Sequence, residues 1–400
     1  MRLLYILNGL GFSSGMPIGG ADKRALEVGR LLSQLRRVDV SFLTTTAGER
    51  VLRDNNWLPN FLINRQPGWW PVSWFKTLPG RALSYFYLIF FANKVDCDQF
   101  DIIYPTSDFF FDLWPAIKIK KRSGGCAKLV GIVHHLIPLP WRRSGSFLIN
   151  LCLFLCQRSS FWLLSRFADL ILVADTGEGR KIATVLEECG LPKSRIGFFL
   201  NGVAYQEIER VLVGSPPYEA CMVGGLRPSK GIFDLPEIWR LVSQTFPQAR
   251  LLVIGGGTSE NELLLWKKLK QAGVDGLVDL AGVVPQDQLY SKMKSSQVFI
   301  SPSHEEGWGI VLCEAMACGL PIVCYNLPAF EIFKEGLTRV NLGDKTSFAM
   351  EIIRLLQNSF VRRELAKGAR VEAQKFGWDK AADREWHYLS KLLLDSTFNL

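Results

Sequence analysis

Histidine is scarce in this chain, with four in 400 residues. None flanks a cysteine at zinc-ligand spacing, and the nine cysteines form no Cys-x-x-Cys pair. A zinc module is therefore not expected. The cysteine count is odd, and Cys152/Cys156 and Cys313/Cys318 fall in apolar segments. Reduced, buried thiols in a reducing cytoplasm are the ordinary reading. No uninterrupted apolar run is long enough to span a bilayer, so no spanning helix is expected. Two segments approach that length, 83–95 and 147–167, the second interrupted by Gln157-Arg158. The opening run Leu3–Leu7 is too short for a signal sequence and leads into a glycine-rich turn, so it reads as a buried first strand. Low-complexity tracts, short repeats and nucleic-acid-binding signatures are absent too.

What the chain does contain is apolar residues, at 48%, and a net charge of +9 with a pI near 9.1. The first allows a large core, and the length suits two domains. The second favours anionic partners: nucleotides, phosphorylated lipids or an acidic membrane face, with no nucleic acid expected.

Along the chain, strand Leu3–Leu7, a glycine loop (Gly9–Gly20), helix Asp22–Leu35 and strand Asp39–Thr44 make a β-loop-α-β opening, with Asp22 as a candidate N-cap. Residues 101–105, 129–134 and 169–175 are short apolar runs without alternation, the pattern of parallel strands covered on both faces. The rhythm resets after 201, and Gly-Ser-Pro-Pro at 214–217 reads as a linker. A second series follows at 219–225, 250–257, 277–284, 297–303 and 321–326, with helices such as 261–272 and 286–294 between. The tail, 361–394, is amphipathic and helical with a break at Gly377. The expected class is α/β, as two doubly wound, Rossmann-like domains: 1–205, 206–378, and a C-terminal helix, 379–400, that returns to the N-terminal domain. Ligands of such sheets bind beyond the carboxyl ends of the strands, so the default site is the cleft between the domains.

Chemistry concentrates in 305-EEGWGIVLCEAMACGLPIVCY-325. A strand ends at Ser301-Pro302-Ser303, and a helix starts near Gly309-Ile310 and stops before Gly319-Leu320-Pro321. The helix start presents free amides and partial positive charge, and Gly307 and Gly309 allow close approach, which makes a phosphate seat. Glu306 and Glu314 would repel a diphosphate unless each faces hydroxyls. A carboxylate accepts from two adjacent hydroxyls, the arrangement sugars offer. Hexose, diphosphate and ribose in a row is the layout of a nucleotide-sugar.

Glu306-Gly-Trp-Gly-Ile-Val-Leu-Cys-Glu314, followed by Ala-Met-Ala-Cys-Gly-Leu-Pro, resembles the E-x7-E block of retaining glycosyltransferases of the GT-B fold, in particular family 4 (glycosyl transferases group 1). The likeness covers most of the chain and is strongest from about 220 to 330. It implies two Rossmann-like domains facing across a cleft, the N-terminal one for the acceptor and the C-terminal one for the donor. By this resemblance Glu314 holds the donor ribose and Glu306 the transferred sugar. The amides of Gly307, Trp308, Gly309, Ile310 and Val311 meet sugar hydroxyls and phosphates, and the backbone of Val283 or Val284 meets the base. Lys230 in 224-GGLRPSKG-231 matches the family's diphosphate lysine. The family's arginine is replaced by Gly225, and Arg227 is the available substitute. Gly19-Gly20 resembles the family's glycine loop, with Gly20 approaching the donor phosphate. His134 corresponds to a strand-end histidine near the reacting sugar, with His135 in place of the usual acid. The catalytic set implied is His134, Glu306 and Lys230.

The implied reaction moves a hexosyl group from a UDP- or GDP-sugar to a hydroxyl of a glycan or lipid-linked acceptor, with retention of configuration. No cofactor is called for, and no metal, because fixed cations and amides hold the diphosphate. Trp69, Trp70, Trp74, Lys76 and Arg81, with Arg142-Arg143, suit the edge of an anionic bilayer, so the expected location is the cytoplasm with the inner face of the plasma membrane as a peripheral docking surface. A nucleotide-sugar epimerase of the same architecture and a non-catalytic sugar-nucleotide-binding protein are the alternatives. A dehydrogenase is disfavoured, because 8-NGLGFSSG-15 is a poor G-x-G-x-x-G.

Overall fold

The structure, a computed structural model, describes residues 1–10, 18–54, 61–64, 87, 99–143, 146–215 and 217–397. They divide into two compact units: the described residues up to Leu200 together with those from Trp378 onward, and Asn201–Gly377. Trp69, Trp70, Trp74, Lys76, Arg81 and most of segment 83–95 lie outside the described residues, as does much of the first glycine loop.

The first unit holds a seven-stranded parallel sheet: β1 (Arg2–Leu7), β2 (Asp39–Thr45), β3 (Phe61–Asn64), β4 (Ile102–Pro105), β5 (Lys128–Val133), β6 (Leu170–Ala174) and β7 (Ile196–Phe199), in the order β3-β2-β1-β4-β5-β6-β7. Leu3 to Leu7 are fully buried along β1, which explains why its sequence shows no alternation. The helices are α1 (Gly20–Arg36), α2 (Thr46–Asp54), α3 (Phe110–Arg122), α4 (Phe147–Phe167) and α5 (Gly177–Glu188). Helix α1 starts earlier than expected. Gly19 occupies the N-cap without a side-chain bond, and Asp22 stands in the first turn, where a carboxylate meets the positive helix end without capping it. By length and composition α4 is long and apolar enough to cross a bilayer, with 21 residues and a mean hydropathy of 1.5. Gln157-Arg158 interrupts its apolar run, which is why the sequence alone suggests no spanning helix here.

The second unit repeats the plan with six parallel strands: β8 (Tyr218–Val223), β9 (Leu251–Ile254), β10 (Val278–Gly282), β11 (Ser296–Ser301), β12 (Ile322–Tyr325) and β13 (Leu337–Val340), in the order β10-β9-β8-β11-β12-β13. Its helices are α6 (Tyr205–Arg210), α7 (Leu235–Thr245), α8 (Ser259–Gln271), α9 (Gln286–Lys294), α10 (Ile310–Ala317), α11 (Lys345–Gln357) and α12 (Ser359–Ala373). Thr258, Asp344 and Asn358 cap α8, α11 and α12, each accepting a bond from the amide three residues on. Trp239 anchors the core of this unit, fully buried, with its indole N–H donating to the Ala249 carbonyl at 3.2 Å. The stretch read as a linker is not where the chain passes between units. That passage falls at Leu200–Asn201, and the Gly214 amide is already tied to the Ser291 carbonyl at 2.9 Å.

The last helix, α13 (Trp378–Thr397), belongs to the first unit. Its Glu385 is fully buried and meets three groups: the Arg24 guanidinium of α1, the Tyr5 hydroxyl of β1 at 2.8 Å and the Tyr104 hydroxyl of β4 at 3.4 Å. Arg24 is itself buried, 4.2 Å from the ring centroid of Phe199.

Strand order reverses between β1 and β4 in one sheet and between β8 and β11 in the other. At such a point the connections leave on opposite faces, which opens a crevice at the carboxyl ends of the strands.

Candidate functional site

In the second unit the crevice is bounded by the loops after β8 and β11. The loop after β8 ends in a tight turn, Pro228–Lys230, closed by Gly231 at φ +68. A Cβ at Gly231 would lie 1.7 Å from the Pro302 carbonyl oxygen, so only glycine allows the two loops to meet this closely. The amides of His304 and Glu305 both donate to the Ser229 carbonyl, at 2.9 and 3.3 Å. This stitching brings together two residues 76 positions apart: the Lys230 ammonium donates to the Glu306 carboxylate. Glu306 also accepts from the Ser303 hydroxyl at 3.0 Å. Nearby, Asp234 receives the Tyr325 hydroxyl at 3.0 Å and bonds His304 Nε2 at 2.7 Å.

Beyond Glu306 the chain enters α10 through Gly309, at φ +92 and ψ 52, with no side-chain cap. A Cβ there would stand 2.8 Å from the Phe330 ring, so both backbone and space require glycine. The amides of Ile310 and Val311 lie at the start of the helix, where no intrahelical acceptor exists. Trp308 contributes only its backbone. Its side chain is buried, edge-on to Phe333 and Phe376 at 5.1 and 5.3 Å. Glu314, in the middle of α10, is buried and accepts from the Tyr290 hydroxyl of α9 at 2.9 Å, while Tyr290 accepts from Gln286 at 2.8 Å.

Arg227 is exposed. A Cβ at Gly225 would lie 3.3 Å from Arg227 Nε, so the guanidinium folds back over the space that a side chain at 225 would fill. Val283 and Val284 follow directly on β10, the edge strand, and Val283 is exposed. Four of the strand ends thus carry candidate ligands or their supports: Lys230 after β8, Gly255–Gly257 after β9, Val283 after β10 and Glu306 after β11. The glycine triplet was missed as part of the site. Gly255, at φ +142, has no room for a Cβ, which would fall 1.9 Å from the Gly224 oxygen, and Leu226 pairs with Gly257. Ser303 and Tyr290 were missed as well, since a lone serine or tyrosine carries no spacing signal.

In the first unit Gly20 is the first residue of α1. His134 follows β5 and bonds the Thr106 carbonyl, just past β4, through Nε2 at 2.8 Å. A carbonyl only accepts, so Nε2 holds the proton and Nδ1 is left as an acceptor. Burial, with Arg24 and His135 nearby and despite the Thr106 bond, lowers the His134 pKa to about 3. His135 supplies its carbonyl to Gln157 at 2.9 Å. Burial also raises Asp22 and Asp108 to about 6.

Among the described residues all cysteines are free thiols. Cys313 and Cys318 are buried as expected, but Cys152 is exposed because it sits on the outer face of α4. No group of three metal-ligating side chains occurs among the described residues. The reading without a metal overlooked one Asp-x-Asp triplet, Asp96-Cys97-Asp98, which lies outside the described residues.

Several solved structures match nearly the whole chain, two of them as follows. One is HepE of Anabaena in complex with UDP and glucose, 17% identical with a TM-score of 0.72, covering 98% of this chain and 100% of that one. The other is sucrose-phosphate synthase from Thermosynechococcus elongatus, also 17% identical, with a TM-score of 0.74 over 98% and 99% of the two chains. The fold is therefore the α/β GT-B class. Residues 206–372, within the second unit, match the family model described as glycosyl transferases group 1. Curated relatives include the O-antigen chain mannosyltransferase B of Escherichia coli, 25% identical over 40% of this chain and 42% of that protein. The phosphatidyl-myo-inositol mannosyltransferase of Mycobacterium leprae is 30% identical over 39% and 42%. The chain spans less than half the length of these curated relatives.

Proposed function

We propose that the protein is a retaining glycosyltransferase of family 4 that moves a hexosyl group from a UDP- or GDP-sugar to a hydroxyl of a glycan or lipid-linked acceptor, without a metal or cofactor, in the cytoplasm. The observation that carries this reading is the Lys230–Glu306 pair at the reversal point of the second sheet, directly before an uncapped helix start. An arriving diphosphate exchanges places with Glu306 at Lys230. The ammonium, Arg227 and the amides of Ile310 and Val311 then face the phosphates. Glu306, released, accepts from hydroxyls of the transferred sugar. Glu314, with one oxygen fixed by Tyr290, accepts from the ribose hydroxyls. The backbone of Val283 and Val284 meets the base. The departing phosphate oxygen takes the proton of the acceptor hydroxyl on the same face of the sugar, which preserves configuration. The names of the relatives, mannosyl transfer to phosphatidyl-inositol and within an O-antigen, support a lipid-linked or glycan acceptor rather than an epimerase.

The test is a panel of nucleotide-sugars, read by thermal shift and by NMR of the product anomer, with and without EDTA. One donor is expected to stabilise the protein and to yield a retained product, with EDTA making no difference. A donor isomerised in the absence of acceptor would support the epimerase alternative. Stabilisation by none of them would refute the site.

His134 gives a pH prediction. With a pKa near 3, its imidazole is neutral throughout the range from pH 5 to 8. It acts as a fixed acceptor through Nδ1 and not as a titrating acid. His134→Asn is expected to lower kcat by about tenfold to a hundredfold while leaving the shape of the pH–rate profile unchanged. A lost ionisation near pH 6 to 7 in the variant would contradict the neutral assignment.

A further inference from the structure

Helix α4 has an apolar face turned outward. Its inward side carries Asn150, Gln157 and Ser160 beside Phe161, Leu163 and Leu164. Asn150 and Gln157 are satisfied within the unit. Asn150 donates to the Arg143 carbonyl at 3.0 Å. Gln157 donates to Asp108 and to the His135 carbonyl, both at 2.9 Å, and accepts from the Ile137 amide at 2.7 Å. The outward side presents, at seven-residue spacing, Leu148 (74% exposed), Leu155 (54%) and Trp162 (59%), with exposed Cys152 and Ser159 between them. The turn before the helix adds Trp141, 69% exposed, and Arg142-Arg143. A surface helix ordinarily keeps its outer face polar.

The charge around this face is equally one-sided. Between Asp112 and Asp169 the chain has no acidic residue and nine lysines and arginines, a number equal to its whole net charge of +9, so the remainder is neutral. Arg158 and Arg166 lie on α4 itself, and Lys121 stacks on Phe167 at its end, 4.5 Å from the ring centroid. Tryptophan and arginine around an apolar strip are the composition of a helix lying in a lipid interface. A second copy of the same face would bring cation against cation, which disfavours self-association. Spanning is disfavoured too, because the inner side of α4 is hydrogen-bonded to its own unit.

We propose that α4 and the Trp141–Arg143 turn seat the first unit in the plane of an anionic phospholipid surface. Leu148, Leu155 and Trp162 enter the acyl boundary while the arginines meet the phosphates. This deepens the reading of a lipid-linked acceptor, and rests on it only for its purpose.

The test is flotation of the full chain with vesicles of phosphatidylglycerol or phosphatidylcholine, at low and high salt. Binding is expected to phosphatidylglycerol and not to phosphatidylcholine, and to weaken with salt. The triple variant Leu148→Gln, Leu155→Gln, Trp162→Gln and the double variant Arg142→Glu, Arg143→Glu should each lower partitioning by about tenfold or more. Neither should change the melting temperature or turnover of a soluble donor. No binding to phosphatidylglycerol, equal binding to both lipids, or binding that both variants retain would overturn the proposal. So would a dimer in light scattering that the triple variant dissolves, since the face would then belong to a second copy. Vesicle binding without any donor turnover would sink the enzymatic reading and leave this one standing.

Discussion

Lys230→Ala is expected to slow glycosyl transfer by about two to three orders of magnitude at saturating donor. The ammonium is held at the reversal point by the fold itself: the Gly231 turn aims it, the Ser229 carbonyl bonds fix the loop, and Glu306 pairs with it. Arg227 stays in the variant but is exposed, and its guanidinium leans over Gly225. It offers charge without an oriented partner, so it cannot replace a partly buried, oriented ammonium against a leaving diphosphate. Steady-state kinetics with the donor found in the panel would measure the effect. Because Lys230 and Glu306 work as an exchanging pair, Glu306→Gln should also reduce kcat, and the double variant should lose less than the sum of the two losses. A rate within about tenfold of the parent for Lys230→Ala would remove the lysine from the mechanism.

The second large effect concerns stability. Glu385→Ala is expected to destabilise the first unit by about 3–5 kcal/mol. It would leave the Arg24 cation buried without its carboxylate, and the hydroxyls of Tyr5 and Tyr104 without their acceptor. Burial already raises both tyrosines well above the usual phenol range, with the charge of Glu385 adding to it, so neither ionises to take over its role. Urea denaturation followed by a probe in the first unit would give the value. Replacing both charges together, Arg24→Met with Glu385→Leu, should recover much of the loss, because an apolar pair needs no desolvation. A loss under about 1 kcal/mol for Glu385→Ala would show that water reaches Arg24.

Much of this was legible in the sequence. The fully apolar strands could be read because a strand buried on both faces has no alternation to confuse. Gly309 and Gly319 marked the two ends of α10, and both have left-handed backbones, at φ +92 and +77. The reset after residue 201 marked the second series. Other features depend on contacts that no local pattern encodes. The pairing of Lys230 with Glu306 arises from the close approach of Gly231 to Pro302, which only the completed sheet brings about. Trp308 sits between two glycines in the motif, yet its ring turns into the core because Phe333 and Phe376 form a slot for it. Tyr290 supports Glu314 from another helix. In α4 the apolar content was plain, but its orientation was not. Hydrophobic periodicity assigns one apolar side inward, and here a second apolar side faces outward while Gln157 turns in to make its hydrogen bonds.

The placement of α13 has a consequence for how the chain matures. The second unit is inserted into the first, so a ribosome that has just synthesised Gly377 carries a complete inner unit and an incomplete outer one. Until Glu385 emerges, Arg24 has no anionic counterpart, and α1 lacks the helix that shields it from water. The order of completion is thus inner before outer, and the nascent outer sheet waits longest for its seal.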